Sequence, residues 1–169
     1  MVDMKVLGLT MEGENNTPIL VLQEKGGAEI LPIWIGASEA LSISLALNGK
    51  TLDRPLTHET MFRALDGLGA SIAGVNITEL RDGTYLAEME IVSGSETLRP
   101  DCRPSDGIAL AVRGHAPIRV AEEILEATAR SRTRRRGEDM VTTFMPDDPA
   151  SPEAVRVLQS MEAASPYKM

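Results

Sequence analysis

The chain has one cysteine, two histidines, one tryptophan, two tyrosines and two phenylalanines among its 169 residues. A lone Cys102 excludes an internal disulfide framework and any multi-cysteine zinc site. So few aromatic rings offer no stacking platform for bases and leave the core to aliphatic side chains and methionine. No apolar run approaches the roughly 18 to 20 residues that span a membrane. The opening Met1-Val2-Asp3-Met4-Lys5 lacks the basic segment and long apolar stretch of a secretory signal. A soluble, cytoplasmic protein with no membrane partner is expected. No glycine pattern of a dinucleotide or P-loop site follows any predicted strand, so no organic cofactor is expected.

Charge is also short on one side. The formal net charge is -8, which repels a polyphosphate at long range. Residues 1–129 hold 10 Lys/Arg against 19 Asp/Glu, whereas residues 130–169 hold 7 against 6. Arg130, Arg132, Arg134, Arg135 and Arg136 make a basic strap behind an acidic body. This strap is either a phosphate-holding element or a solvated connector. The chain therefore divides into a domain over 1–129 and an arginine-rich connector with a proline-containing tail over 130–169. Ser151-Pro152-Glu153 predicts a short helix reaching Met161 in that tail.

Hydropathy predicts three opening strands, around Val6–Met11, Ile19–Leu22 and Ile30–Ile35, with a glycine turn at Gly26-Gly27. Pro32 donates no ladder hydrogen bond and predicts an edge strand or an irregular stretch. A helix capped by Ser38 and running to Asn48 is apolar nearly all round. It should bury inside the domain or against a second subunit, making a homo-oligomer through residues 38–48 an expectation. A second helix is predicted over Thr57–Leu68. A hairpin joins strands 71–80 and 84–92 through Arg81-Asp82-Gly83, and one strand is predicted over Glu96–Cys102. A third helix starts near Pro104 or Ser105, a short strand covers 117–120, and a fourth helix covers 121–130. Strands with segregated helices predict an α+β domain: a mixed, largely antiparallel sheet with about four helices packed on it.

Two polar strings stand out. Arg54-Pro55-Leu56-Thr57-His58-Glu59 and Asp101-Cys102-Arg103-Pro104-Ser105-Asp106 each join an arginine, a proline, a hydroxyl and an acid where a helix should begin. Phosphodiester hydrolysis needs an activated water, a stabilised phosphorane and a protonated or metal-bound leaving oxygen. Histidine exchanges protons near neutral pH, so His58, with Asp106 and Asp101, forms the candidate catalytic set. Arg54 and Arg103 can clamp a phosphate through paired hydrogen bonds. Thr57 and Ser105 mark helix starts that offer backbone N–H groups to an anion. Asp101, Asp106, Glu59 and Glu39 are candidate oxygen ligands for Mg²⁺ or Mn²⁺. Each residue has a structural alternative. Thr57 and Ser105 suit helix caps, Glu59 and Asp106 complement helix dipoles, and the arginines can pair with the acids in a buried ion network. Cys102 suits a packed apolar position, and His115 a helix C-terminus.

The same strings carry a family resemblance. Leu31-Pro32-Ile33-Trp34-Ile35-Gly36 with Glu39-Ala40, then Arg54-Pro55 with Thr57-His58, then Asp101 with Arg103-Pro104-Ser105-Asp106 and Ile108-Ala109-Leu110-Ala111 occur in that order. With Pro117-Ile118 and Val120, they make residues 4–129 resemble the bifunctional nuclease (BFN) domain family. The chain departs from the family at Glu59, where aspartate is usual, and at Gly107 and Cys102, where alanine is common. The resemblance implies an α+β fold and a nuclease acting on DNA and RNA, as in plant members. It assigns no residue roles, which rest on the chemistry above. The alternative function is a non-catalytic, self-associating module that binds a small anion or a protein partner in regulation.

Overall fold

A computed structural model describes residues 1–12, 17–27 and 29–134. The chain opens with β1 (Val2–Glu12), β2 (Thr17–Glu24) and β3 (Ile30–Trp34), an antiparallel meander that pairs Leu9 with Leu20 and Leu22 with Leu31. β3 forms one margin of the sheet, where the missing N–H of Pro32 breaks no interior ladder. α1 (Ala37–Leu47) follows. Its N-cap is Gly36 and not the expected Ser38, whose hydroxyl instead donates to Glu39 Oε2 at 2.9 Å. α1 buries Ala40, Ser42, Ile43, Ser44 and Leu45 inside its own domain, against β2 and the third helix, and leaves Leu47 exposed.

After Asn48, the C-cap of α1, a loop leads to α2 (Thr57–Gly67). The long hairpin of β4 (Ala70–Arg81) and β5 (Thr84–Ser93) turns at Asp82-Gly83, both with positive φ (51° and 80°). Two such residues between paired Arg81 and Thr84 follow the right-handed twist of the strands they join. The single strand expected over 96–102 is divided into β6 (Glu96–Leu98) and β7 (Asp101–Cys102). Pro100 has no N–H to continue the ladder, although its carbonyl accepts from Met89 N–H at 3.1 Å. Both pieces pair with β5.

α3 (Pro104–Arg113) then packs over β4 and β5 and returns the chain to β8 (Ile118–Val120). β8 slots between β1 and β4, antiparallel to the first and parallel to the second. The eight-stranded sheet runs β3-β2-β1-β8-β4-β5-β6, with β7 also on β5. α4 (Glu122–Arg134) continues past the expected end at Arg130. The fold is α+β, with a largely antiparallel sheet and four helices among the described residues. The predicted helix 151–161 lies outside the described residues, as does most of the tail.

The core is aliphatic, as the aromatic shortage demands. Met4, Leu20, Leu22, Leu31, Ile43, Val75, Ile77, Ile108, Leu110, Val120 and Ile124 are its fully buried large side chains. No described helix is long and apolar enough to cross a membrane.

Candidate functional site

The two polar strings are far apart in sequence but meet in space. Leu56, in extended conformation, is the N-cap of α2, and Arg103, also extended, is the N-cap of α3. Neither helix start has a side-chain cap, so Thr57 and Ser105 do not cap as their residue types suggested. Thr57 is the first helical residue and exposed, whereas Ser105 is buried one residue further inside its helix. Pro104 occupies the first position of α3, where its missing N–H costs nothing. This leaves first-turn N–H groups and the positive dipole ends of both helices without a side-chain acceptor from their own caps.

His58 in the first turn of α2 and Asp106 in the first turn of α3 are joined by a 2.9 Å contact between Nε2 and Oδ1. Asp106 is gripped from its other side by Arg103, whose Nε donates to Oδ2 at 2.7 Å and Nη2 to Oδ1 at 2.9 Å. The same Nη2 donates to Glu39 Oε1 at 2.7 Å and so ties α1 to α3. Burial raises the Asp106 pKa, but the hydrogen bonds and charges of Arg103 and His58 outweigh it and hold the carboxyl below its usual range. Glu39 behaves alike: burial raises its pKa, while its backbone N–H, Ser38 and Arg103 lower it further. Hydrogen bonds to Asp106 and then Glu39 push the Arg103 guanidinium up, locking it in the charged form. The Arg103 side chain is nevertheless 67% exposed. Its Nη1 makes no hydrogen bond among the described residues.

A second ion network lies deeper. Glu59 accepts from Arg113 Nε at 3.0 Å and from Arg63 Nε at 2.9 Å. Those contacts, Arg113 foremost, hold its carboxyl below the usual range against a smaller opposing effect of burial. Arg113 also reaches Ala109 O, Ser42 O and Ser42 Oγ. Nothing in the two polar strings marks Arg113 or Ser42. The available signal was an arginine closing the last turn of an otherwise apolar helix.

Not every candidate joins the cluster. Arg54 and Asp101 are exposed, and neither side chain makes a hydrogen bond or ion pair among the described residues. Asp101 pairs through its backbone with Glu88 and acts on Cys102, whose thiol is pushed up to about 11 by burial first and by Asp101 and Asp106 next. Three of the four candidate metal donors hold arginines: Glu39 and Asp106 share Arg103, and Glu59 holds Arg63 and Arg113, whereas Asp101 stands apart. Among the described residues no three His, Cys, Asp or Glu side chains are grouped to hold a metal ion.

Comparison with known sequences gives this geometry a family context. An uncharacterized protein of Mycobacterium tuberculosis is 38% identical over 123 residues, which cover 73% of each chain. Bifunctional nuclease 2 of Oryza sativa subsp. japonica is 29% identical over 107 residues, 61% of this chain and 33% of the rice protein. Bifunctional nuclease 1 of Arabidopsis thaliana matches at 29% identity with the same coverage. The chain thus spans about a third of the plant nucleases it resembles. The family model described as the bifunctional nuclease domain matches residues 20–133, a stretch that contains every residue of both ion networks. This chain belongs to the bifunctional nuclease domain family.

Proposed function

We propose that the chain is a cytoplasmic nuclease that hydrolyses phosphodiester bonds of DNA and RNA where the first turns of α2 and α3 meet. The His58–Asp106 contact carries this reading, because it unites a proton-exchanging group, an orienting carboxylate and an exposed arginine at two uncapped helix starts. With Asp106 accepting from Nε2–H, the imidazole is held in the tautomer whose Nδ1 is free to accept a proton from water. Arg103 Nη1 supplies positive charge for the phosphate as negative charge builds on it. Backbone N–H groups at the start of α2 add donors that need no reorganisation. Glu39, Glu59 and Asp106 already hold arginines, so Mg²⁺ or Mn²⁺ would have to displace a guanidinium to bind them.

The test is cleavage of single-stranded DNA and RNA by the purified full chain, with Mg²⁺, Mn²⁺ or EDTA. Activity that follows the protein through two different columns, and falls in folded His58→Ala and Asp106→Asn variants, supports the proposal. Variants that stay folded and cleave like the parent remove the catalytic assignment.

A second reading is favoured by the self-satisfaction of the network. His58 is only 13% exposed, and both carboxylates bound to Arg103 are already hydrogen-bonded within the cluster. On this reading the site is a non-catalytic module that binds a small anion or a partner, and self-association accompanies it. Retention of phosphate or nucleic acid without cleavage, under every metal condition, selects it over the nuclease.

A further inference from the structure

The least expected group in the domain is a cation in its interior. The Arg113 side chain is 6% exposed. Burying a guanidinium is tolerable only when its N–H groups are matched by acceptors, and here acceptors from three helices converge on it. Nε donates to Glu59 Oε2 of α2 at 3.0 Å, and Nη1 to Ala109 O of its own helix at 2.6 Å. Nη2 donates to Ser42 O and Oγ of α1 at 3.1 and 3.0 Å. An arginine suits this place because its planar fork reaches all three directions at once.

What Arg113 holds is the helix that carries His58. α2 has no fully buried residue, and only Phe62 and Leu65 reach the core from it. Apolar packing alone therefore gives α2 a weak grip, and its rotation and height against α3 need polar contacts. Two are present. His58 meets Asp106, and the next residue, Glu59, meets Arg113. Asp106 and Arg113 stand seven residues apart on α3, on one face and about two turns from each other. Two contacts on one face, from adjacent α2 residues, fix both the roll and the slide of α2.

We infer that Arg113 is a positioning residue: through Glu59 it seats α2 against α1 and α3 so that the His58 imidazole reaches Asp106. The functional weight of this inference rests on the proposed nuclease role of His58, but the geometry it asserts can be measured without catalysis.

The experiment uses the full chain in a His115→Asn background, which leaves His58 as the sole imidazole. Residue 115 has φ 52°, a conformation asparagine tolerates well. The imidazole Nε2–H resonance of His58, protected from exchange by Asp106, is recorded at one fixed pH for the parent, Arg113→Met, Arg113→Lys and Glu59→Gln. The expected result is loss of the protected resonance in Arg113→Met and Glu59→Gln, with cooperative melting retained and partial recovery in Arg113→Lys. In the cleavage assay kcat falls about ten-fold or more while KM stays within about two-fold, the pattern of a lost transition-state contact. A folded Arg113→Met or Glu59→Gln protein that keeps the resonance overturns the inference and leaves the nuclease reading intact. If the resonance is lost as expected but His58→Ala cleaves like the parent, the positioning stands and the nuclease role of His58 fails. Should Arg113→Met not fold, Glu59→Gln decides, since it preserves the shape of the side chain and removes only its charge.

Discussion

His58 Nε2 and Asp106 Oδ1 lie 2.9 Å apart although 48 residues separate them in the chain. This contact makes one surface out of two helix starts that the sequence shows only as similar strings. Groups that act as a unit lose their effect together when either is removed. Rates for His58→Ala, Asp106→Asn and the double variant should therefore be non-additive. Each single change should lower cleavage by about 10² to 10⁴-fold, the usual range for general acid–base groups, with little further loss in the double variant. Multiplying losses, measured on proteins with matched melting curves, would separate the two roles.

Acid should weaken the fold in a defined window. Asp106, Glu39 and Glu59 bind protons less tightly in the folded chain than a free carboxyl does. The unfolded chain thus takes up more protons as pH drops, and stability rises with pH across the interval between folded and unfolded values. The stabilisation is complete above the ordinary carboxylate pKa of about 4, and is lost as pH falls through the lower folded values. Urea midpoints between about pH 2 and about pH 7 measure this slope. A Glu39→Gln, Glu59→Gln, Asp106→Asn protein should show a flatter one.

Two departures from the family pattern touch each other. A Cβ built on Gly107 would meet Val75 Cγ1 at 2.9 Å and the Cys102 sulfur at 3.1 Å. The helix position is kept small above the Cys102 sulfur and the Val75 methyls. Gly107→Ala gains about 1 kcal/mol of helix propensity but overpacks the contact, which costs about 1 to 3 kcal/mol. The same substitution should cost about 1 kcal/mol less in a Cys102→Ala background. Additive effects in the four-protein cycle, from denaturant unfolding, would show that Val75 alone sets the limit.

The Cys102 thiol should be inert. With its pKa pushed up to about 11, first by burial and then by Asp101 and Asp106, the reactive thiolate is scarce at neutral pH. Iodoacetamide should label the native chain far more slowly than the urea-unfolded chain, with the difference followed by intact mass. Equal rates would mean that the sulfur is more open than its place under α3 allows.

Much of the fold was legible because it rests on local rules. The Asp82-Gly83 turn, Pro32 at a sheet margin and the stop at Asn48-Gly49 each follow from backbone geometry that those residues alone dictate. The predictions that failed were about competition between local partners. Thr57, Ser105 and Ser38 are good cap residues, yet none occupies a cap position: Leu56 takes the N-cap place before Thr57, Pro104 takes the first position of α3, and the Ser38 hydroxyl finds a nearer carboxylate. Pro100 split a strand whose polar pattern reads as continuous. At the candidate site, the residue types of the two strings were visible, and so was the possibility of an ion network. The partners were not, because pairing His58 with Asp106 and Glu59 with Arg113 depends on how α2 lies across α3. Arg113 gave the weakest signal of all. A helix-terminal arginine reads as solvated until a neighbouring helix closes over it.

The margins of the sheet limit how copies of this chain can meet. β3 has a proline at its centre, and β6 has only three residues. An incoming strand finds a missing donor on one side and too short a template on the other. Among the described residues, growth by strand addition, the route to fibrils and to edge-paired dimers, is therefore disfavoured at both margins. A partner that engages side chains and helices meets no such barrier.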